Sequence, residues 1–179
     1  MQLAAGHEAR VRMMTAAKEI TVRAPCLKDG GKLMELVHAA GTLDVNSCYL
    51  YYLLADHFSS TCAYAEAEGE PAGFVTAYRL PDEPTCLFVW QITVSPAFRG
   101  CGIGQKLLVD LAGRPWFREI QRVCCTISPS NEASRRLFAK WGESLGGHWH
   151  ETPYLRAEDL GATHEDEPML TIELSHGGA

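Results

Sequence analysis

A chain of 179 residues with 46% apolar content can bury one core, and a formal charge of −6 without a basic block excludes a nucleic-acid footprint and suits a cationic or zwitterionic small substrate. Its seven cysteines are an odd number without C-x-x-C spacing, and Cys62, Cys86, Cys124 and Cys125 lie in apolar stretches, which argues against a disulfide scaffold or a zinc site and reads as buried free thiols of a reducing, cytoplasmic compartment. No run approaches the roughly 20 apolar residues of a membrane span. Residues 1–18 show no sustained period and are expected to form a flexible extension ahead of one domain over 19–179. Ile20-Thr21-Val22-Arg23 predicts a first strand, and Leu33, Leu36 and Val37 a helix over 28–40 that Gly41 ends. Asp44, Asn46 or Ser47 can cap a second helix through 48–54, whose apolar density predicts deep burial. Strands over 61–66 and 72–80, joined by Glu68-Gly69-Glu70-Pro71, predict a hairpin. After Pro81-Asp82-Glu83-Pro84, the continuous apolar strand 86–94 reads as the middle of a sheet, covered on both faces. A helix over 102–112, a strand over 123–127, a helix opened by Pro129-Ser130-Asn131 and a last strand over 169–174 complete the chain.

The densest chemical signal is Arg99-Gly100-Cys101-Gly102-Ile103-Gly104, set between the central strand and the helix after it. Glycines let main chain approach a phosphate closely, and the unpaired N–H groups of a first helical turn point at it. Two other phosphate loops are excluded by spacing: no Lys-Ser or Lys-Thr pair closes a G-x-x-x-x-G-K-[ST] loop, and Gln105 and Leu107 stand where a dinucleotide G-x-G-x-x-G needs its third glycine.

R-x-x-G-x-G after a Val-Ser-Pro strand end resembles the acetyl-CoA signature of the GNAT N-acetyltransferases. The helix Asn131-x-Ala133-Ser134-x-x-Leu137-Phe138-x-x-x-Gly142 resembles that family's second motif, with Phe138 where tyrosine is usual and Ala133 one residue early. The resemblance implies an α/β (α+β) GNAT fold, with a mixed twisted sheet of about six to seven strands flanked by helices. It also implies acetyl-CoA bound by main chain at Ile92 and Val94, by Arg99, Gly100, Cys101, Gly102, Ile103 and Gly104, and beside Asn131 and Ser134, with no metal.

Five further segments, Leu43-Asp44-Val45-Asn46-Ser47-Cys48-Tyr49, Gly73-Phe74-Val75 with Tyr78-Arg79-Leu80-Pro81, Phe88-Val89-Trp90-Gln91, Ile127-Ser128-Pro129-Ser130-Asn131 and His164-Glu165-Asp166-Glu167, occur in an order that resembles the diaminobutyrate acetyltransferases of ectoine biosynthesis. That resemblance implies acetylation of the γ-amino group of L-2,4-diaminobutyrate by a homodimer. Asp44 and Glu167 would hold ammonium groups, Trp90 would shape the pocket wall and His164 would orient the zwitterionic end. Glu167 or His164 would take the proton, with attack that releases it to water as the alternative. Phe138 cannot act as the acid that the tyrosine supplies, which leaves Tyr154 or a water for that step. Read without the resemblance, Asp44 is a helix cap, Trp90 is core and the His164–Glu167 run is a solvated acidic loop. His148, His150 and Glu151 lack a matching distant ligand for a metal. A GNAT enzyme for another small amine and a non-catalytic acyl-CoA module are the competing readings.

Overall fold

The computed structural model describes residues 19–41, 43, 45–161 and 164–175; the extension expected over 1–18 lies outside them. Strands β1 (Ile20–Arg23), β2 (Ala63–Ala67), β3 (Glu70–Leu80) and β4 (Glu83–Val94) form an antiparallel meander, and β5 (Arg122–Thr126) runs parallel to β4. β7 (Glu167–Glu173) and β6 (His148–Leu155) add antiparallel strands, so the seven-stranded order is β1-β2-β3-β4-β5-β7-β6. The tight β2–β3 turn is made by Glu68 and Gly69, both at positive φ (56° and 82°), the backbone hand that matches the twist of a two-residue hairpin.

Helices α1 (Gly30–Ala40) and α2 (Cys48–Asp56) cover one face of the meander, where Leu33, Leu36, Val37, Tyr51, Leu54, Tyr64 and Phe74 form a core with Trp90 packed against it. Ser47 occupies the N-cap position of α2 without a side-chain cap bond. The density of apolar residues in α2 overstates its burial: Tyr51, Leu54 and Ala55 are buried, whereas Tyr49 is 71% exposed. A helix on a sheet surface buries one stripe, whatever the composition of the rest. Helices α3 (Ile103–Ala112) and α4 (Glu132–Ser144) cover the other face, where Leu87, Val89, Leu107, Leu108, Leu111 and Val123 belong to the larger core. A one-turn helix, α5 (Ala157–Leu160), follows β6.

β4 is central, as its apolar run predicts, but only one of its faces is fully covered. Leu87 and Val89 are buried, while Phe88 and Trp90 on the opposite face are only partly so. Between Ala77, opposite Val89, and Thr76, opposite Gln91, the register slips by one residue, and Trp90 is the extra one. This bulge resets the alternation, so that Ile92 and Val94 pack against the same core as Leu87 and Val89. All seven cysteines are free, with Cys62, Cys86, Cys124 and Cys125 buried as expected. Among the described residues no helix is long and apolar enough to cross a membrane.

Candidate active site

Parallel pairing of β4 with β5 runs only through Cys86, Leu87 and Phe88, opposite Arg122, Val123 and Cys124. Beyond it the strands part, and the edge of β4 from Val89 to Val94 has no ladder partner on that side. Ser95 donates its N–H to the carbonyl of Ala72 (2.9 Å), and the Gln91 carbonyl accepts from Thr76 Oγ1 (3.4 Å), so residues 91, 93 and 95 turn their main-chain groups toward β3. Strand alternation then turns the N–H and C=O of Ile92 and Val94 into the gap.

Two cavities fill this gap. One, of about 680 Å³, is lined by Ile92, Thr93, Val94, Arg99, Ala133 and Ser134. The other, of about 590 Å³, is lined by Tyr78, Trp90, Gln91, Thr126, His164 and Glu167 among others. They share Leu43, Ser128 and Asn131. Past Tyr78, Phe88 and Tyr154 the second runs on into a space of about 430 Å³.

At the outer end of the first cavity the glycine loop opens α3. Gly100 and Gly102 have φ of 79° and 74°, the left-handed backbone that glycine adopts without strain. The first helical bond is from Lys106 N to Gly102 O (3.0 Å), so the N–H groups of Ile103, Gly104 and Gln105 have no acceptor within the helix. Ile103 is 1% exposed and packs in the core; of the loop only Arg99 lines the first cavity, while Gly100, the exposed Cys101, Gly102, Ile103 and Gly104 line neither. Arg99 reaches from the cavity to the carbonyl of Ala40 (3.3 Å), fixing the loop to the C-terminus of α1. Asn131 caps α4, its Oδ1 accepting from Ser134 N at 3.1 Å, while both residues also line the first cavity. These open donors and the cavity beside them fit an extended phosphate-bearing ligand such as acetyl-CoA.

In the acidic run the carboxylates have separate tasks. Glu165 accepts the N–H of Ser130 (3.1 Å), and hydrogen bonding from Ser130 holds its carboxyl below the ordinary range. Asp166 caps α5 through the N–H of Ala157 (2.8 Å). Glu167, the first residue of β7, accepts the hydroxyl of Thr126 at its Oε2 (2.7 Å). His164 is partly buried, its N–H bonded to the Gly161 carbonyl (3.0 Å). The structure brings Trp90, His164 and Glu167 to the lining of one cavity; Asp44 lies outside the described residues. Gln91, Thr126 and Ser128 were not anticipated. The signal for the last two is their place at the carboxyl end of a parallel strand beside its diverging neighbour, where α/β sheets bind ligands.

Glu151 pairs with Arg135, and among the described residues no group of three or more His, Cys, Asp or Glu is placed to hold a metal ion. Phe138 lies in neither cavity. It is 2% exposed and packs edge-on against Trp141, with ring centroids 6.0 Å apart. Phe138→Tyr is accordingly expected to leave turnover within a few fold, while burying an unpaired hydroxyl lowers stability by about 1–3 kcal/mol. Steady-state kinetics and thermal melts check both; a change in turnover above roughly 100-fold, about 2.7 kcal/mol of barrier, would contradict it.

An open strand edge beside a glycine-led helix, facing an acidic pocket across a splay in the sheet, defines an N-acetyltransferase of the GNAT class, and a model of the Acetyltransferase (GNAT) family matches residues 32–142. The chain is 38% identical over 164 residues to the L-2,4-diaminobutyric acid acetyltransferase of Bordetella parapertussis, covering 90% of this chain and 88% of that one. It is 40% identical over 153 residues to the enzyme of the same name from Vibrio cholerae, covering 85% and 88%. The diaminobutyrate acetyltransferase EctA of Paenibacillus lautus, solved with its substrate L-2,4-diaminobutyric acid and coenzyme A, superposes with a TM-score of 0.86 at 39% identity, covering 90% of this chain and 99% of that one. The chain belongs to the L-2,4-diaminobutyric acid acetyltransferases of the GNAT family.

Proposed function

We propose that the protein transfers the acetyl group of acetyl-CoA to the γ-nitrogen of L-2,4-diaminobutyrate, giving N-γ-acetyl-2,4-diaminobutyrate and coenzyme A by direct attack in a ternary complex. The observation that carries this reading is the meeting of two unlike cavities at the splay. One is walled by open main chain and Arg99; the other holds His164, Glu165 and Glu167 and, among the described residues, no lysine or arginine. A small cation with two ammonium groups and one carboxylate suits the second.

Arg99 to Gly104, with Asn131 and Ser134, hold the pyrophosphate and pantetheine arm. The N–H of Ile92 or Val94 polarises the thioester carbonyl. Asp44 and Glu167 bind ammonium groups, Trp90 forms the wall and His164 orients the carboxylate end. An amine with a pKa of about 10 must first lose a proton, which Glu167 or His164 accepts. The C–N bond then forms as the C–S bond breaks; the acetylated nitrogen gives its second proton to water, and the departing thiolate, a good leaving group, takes a proton from Tyr154 or water. In this reading the enzyme is a cytoplasmic homodimer serving the synthesis of ectoine, a compatible solute used in osmoprotection.

With acetyl-CoA, the purified protein is expected to release thiol at least about 10-fold more efficiently with diaminobutyrate than with ornithine, lysine or spermidine, because an extra methylene carries the ammonium away from its partner. NMR of the product is expected to locate the acetyl group on the γ-nitrogen. Faster turnover of a longer amine would overturn the substrate, and binding of acetyl-CoA without thiol release for any amine would indicate an acyl-CoA binding module.

A further inference from the structure

We infer that Gln91 is a specificity-determining residue whose side-chain carbonyl accepts a hydrogen bond from the substrate nitrogen that becomes acetylated; this rests on the function proposed above and deepens it. In a regular strand, neighbouring residues point to opposite faces. The bulge at Trp90 breaks that rule, and Trp90 and Gln91 both line the acidic cavity. Gln91 is only 6% exposed, and its Oε1 is buried without a hydrogen-bond partner. Buried acceptors are seldom left so, because the desolvation they suffer is not repaid. The other buried unpartnered side-chain atoms among the described residues belong to Tyr51, Tyr64, Arg135 and Trp141, none of which lines either cavity of the cleft.

An orphan acceptor calls for a donor. None of the donor-bearing residues that line that cavity, Tyr78, Trp90, Ser128, Asn131, Tyr154 and His164 among them, is bonded to it; Glu165 and Glu167 supply no donor when ionised, and the Thr126 hydroxyl is already given to Glu167. A diamino acid brings ammonium N–H groups. Gln91 directly precedes Ile92, whose main chain faces the first cavity, so its place is where the two cavities meet and where the attacking nitrogen must come. A neutral amide cannot take the proton, but it can fix the direction of the nitrogen lone pair. Its hydrogen bond also strengthens as attack puts positive charge on the nitrogen.

Gln91→Met, of similar length but without the acceptor, is expected to lower kcat/KM for diaminobutyrate by about 10- to 100-fold, the scale of a hydrogen bond to a charged group. The KM for acetyl-CoA should stay as it is. The Tm of the free enzyme should be unchanged or raised, because the variant removes an atom that had no partner. Gln91→Glu, which keeps an acceptor at the position, should retain more activity than Gln91→Met. Unchanged diaminobutyrate kinetics with a lowered Tm would assign Gln91 to the internal framework and overturn the inference, as would equal losses in the two variants. If the wild-type protein turns over a different amine best, the substrate reading falls, and the same pair of variants assayed on that amine decides the role of Gln91 separately.

Discussion

Glu167→Gln is expected to lower kcat/KM for diaminobutyrate by about 10²- to 10⁴-fold, the range associated with loss of a positioned acid or base. The carboxylate stands at the start of β7, and the bond from Thr126 Oγ1 to its Oε2 (2.7 Å) anchors it across the β5–β7 ladder. With that oxygen held, Oε1 is the one left for a ligand in the cavity, and in the proposed function the fixed negative charge attracts the cationic substrate and accepts its proton. Glutamine can still accept from Thr126 through its carbonyl, so the local structure should persist and only the charge and the basic oxygen are lost. Unmoved thermal stability and an unmoved KM for acetyl-CoA are therefore part of the expected result. A loss below 10-fold would send the proton to His164 or to solvent instead. Thr126→Val should reproduce part of the effect, since it frees the carboxylate to rotate without removing it.

The largest expected effect on stability lies at the other end of the sheet. Asp29, 2% exposed before α1, receives both nitrogens of the Arg23 fork (2.7 and 3.0 Å) and the N–H of Cys26 (2.8 Å). This knot ties β1 to the start of the first helix. Asp29→Ala is expected to cost about 3 kcal/mol, the lower end for a broken buried pair, because Arg23 is partly exposed and keeps Glu66 at 3.6 Å. That corresponds to a fall in Tm of about 6–12 °C for a chain of this size. Burial pulls the Asp29 carboxyl upward, but the bonds from Arg23 and Cys26 outweigh it and hold its pKa at about 2 against an ordinary 3.8. The folded-state value is the lower one, so the stabilisation is fully present above about pH 4 and is lost as the pH falls through 2. After allowance for the screening of Arg23 it amounts to about 2 kcal/mol. Melts of the wild type and Asp29→Asn as a function of pH check this: the gap between them should be constant near neutrality and close as the pH approaches 2. A gap independent of pH would mean that the charge of Asp29 contributes nothing to the fold.

Much of this protein was legible in one dimension because the signals are local. Positive φ at Gly100 and Gly102, the Asn131 cap, the Glu68-Gly69 turn and the helical period of Leu33, Leu36 and Val37 all concern residues within a few positions of one another. Their order was enough to identify the fold and the class of co-substrate, acetyl-CoA. Strand β6 was missed because its sequence, His148 to Leu155, is almost wholly exposed and has no alternation; only pairing with β7, from His148 opposite Glu173 to Thr152 opposite Met169, makes it a strand.

The details of the acidic pocket were decided at distances the sequence does not record. Three carboxylates in a row look alike as letters, yet one accepts from Ser130, one from Ala157 and one from Thr126, three different segments of the chain. The single extra residue at Trp90 is likewise invisible until β3 is laid beside β4, because a bulge is a property of a pair of strands and not of either one. Sequence by itself determined the class of chemistry through backbone conformations that particular residues favour. The tertiary structure alone decided which side chains share the cleft, because a one-residue change of register moves every later side chain to the opposite face of the sheet.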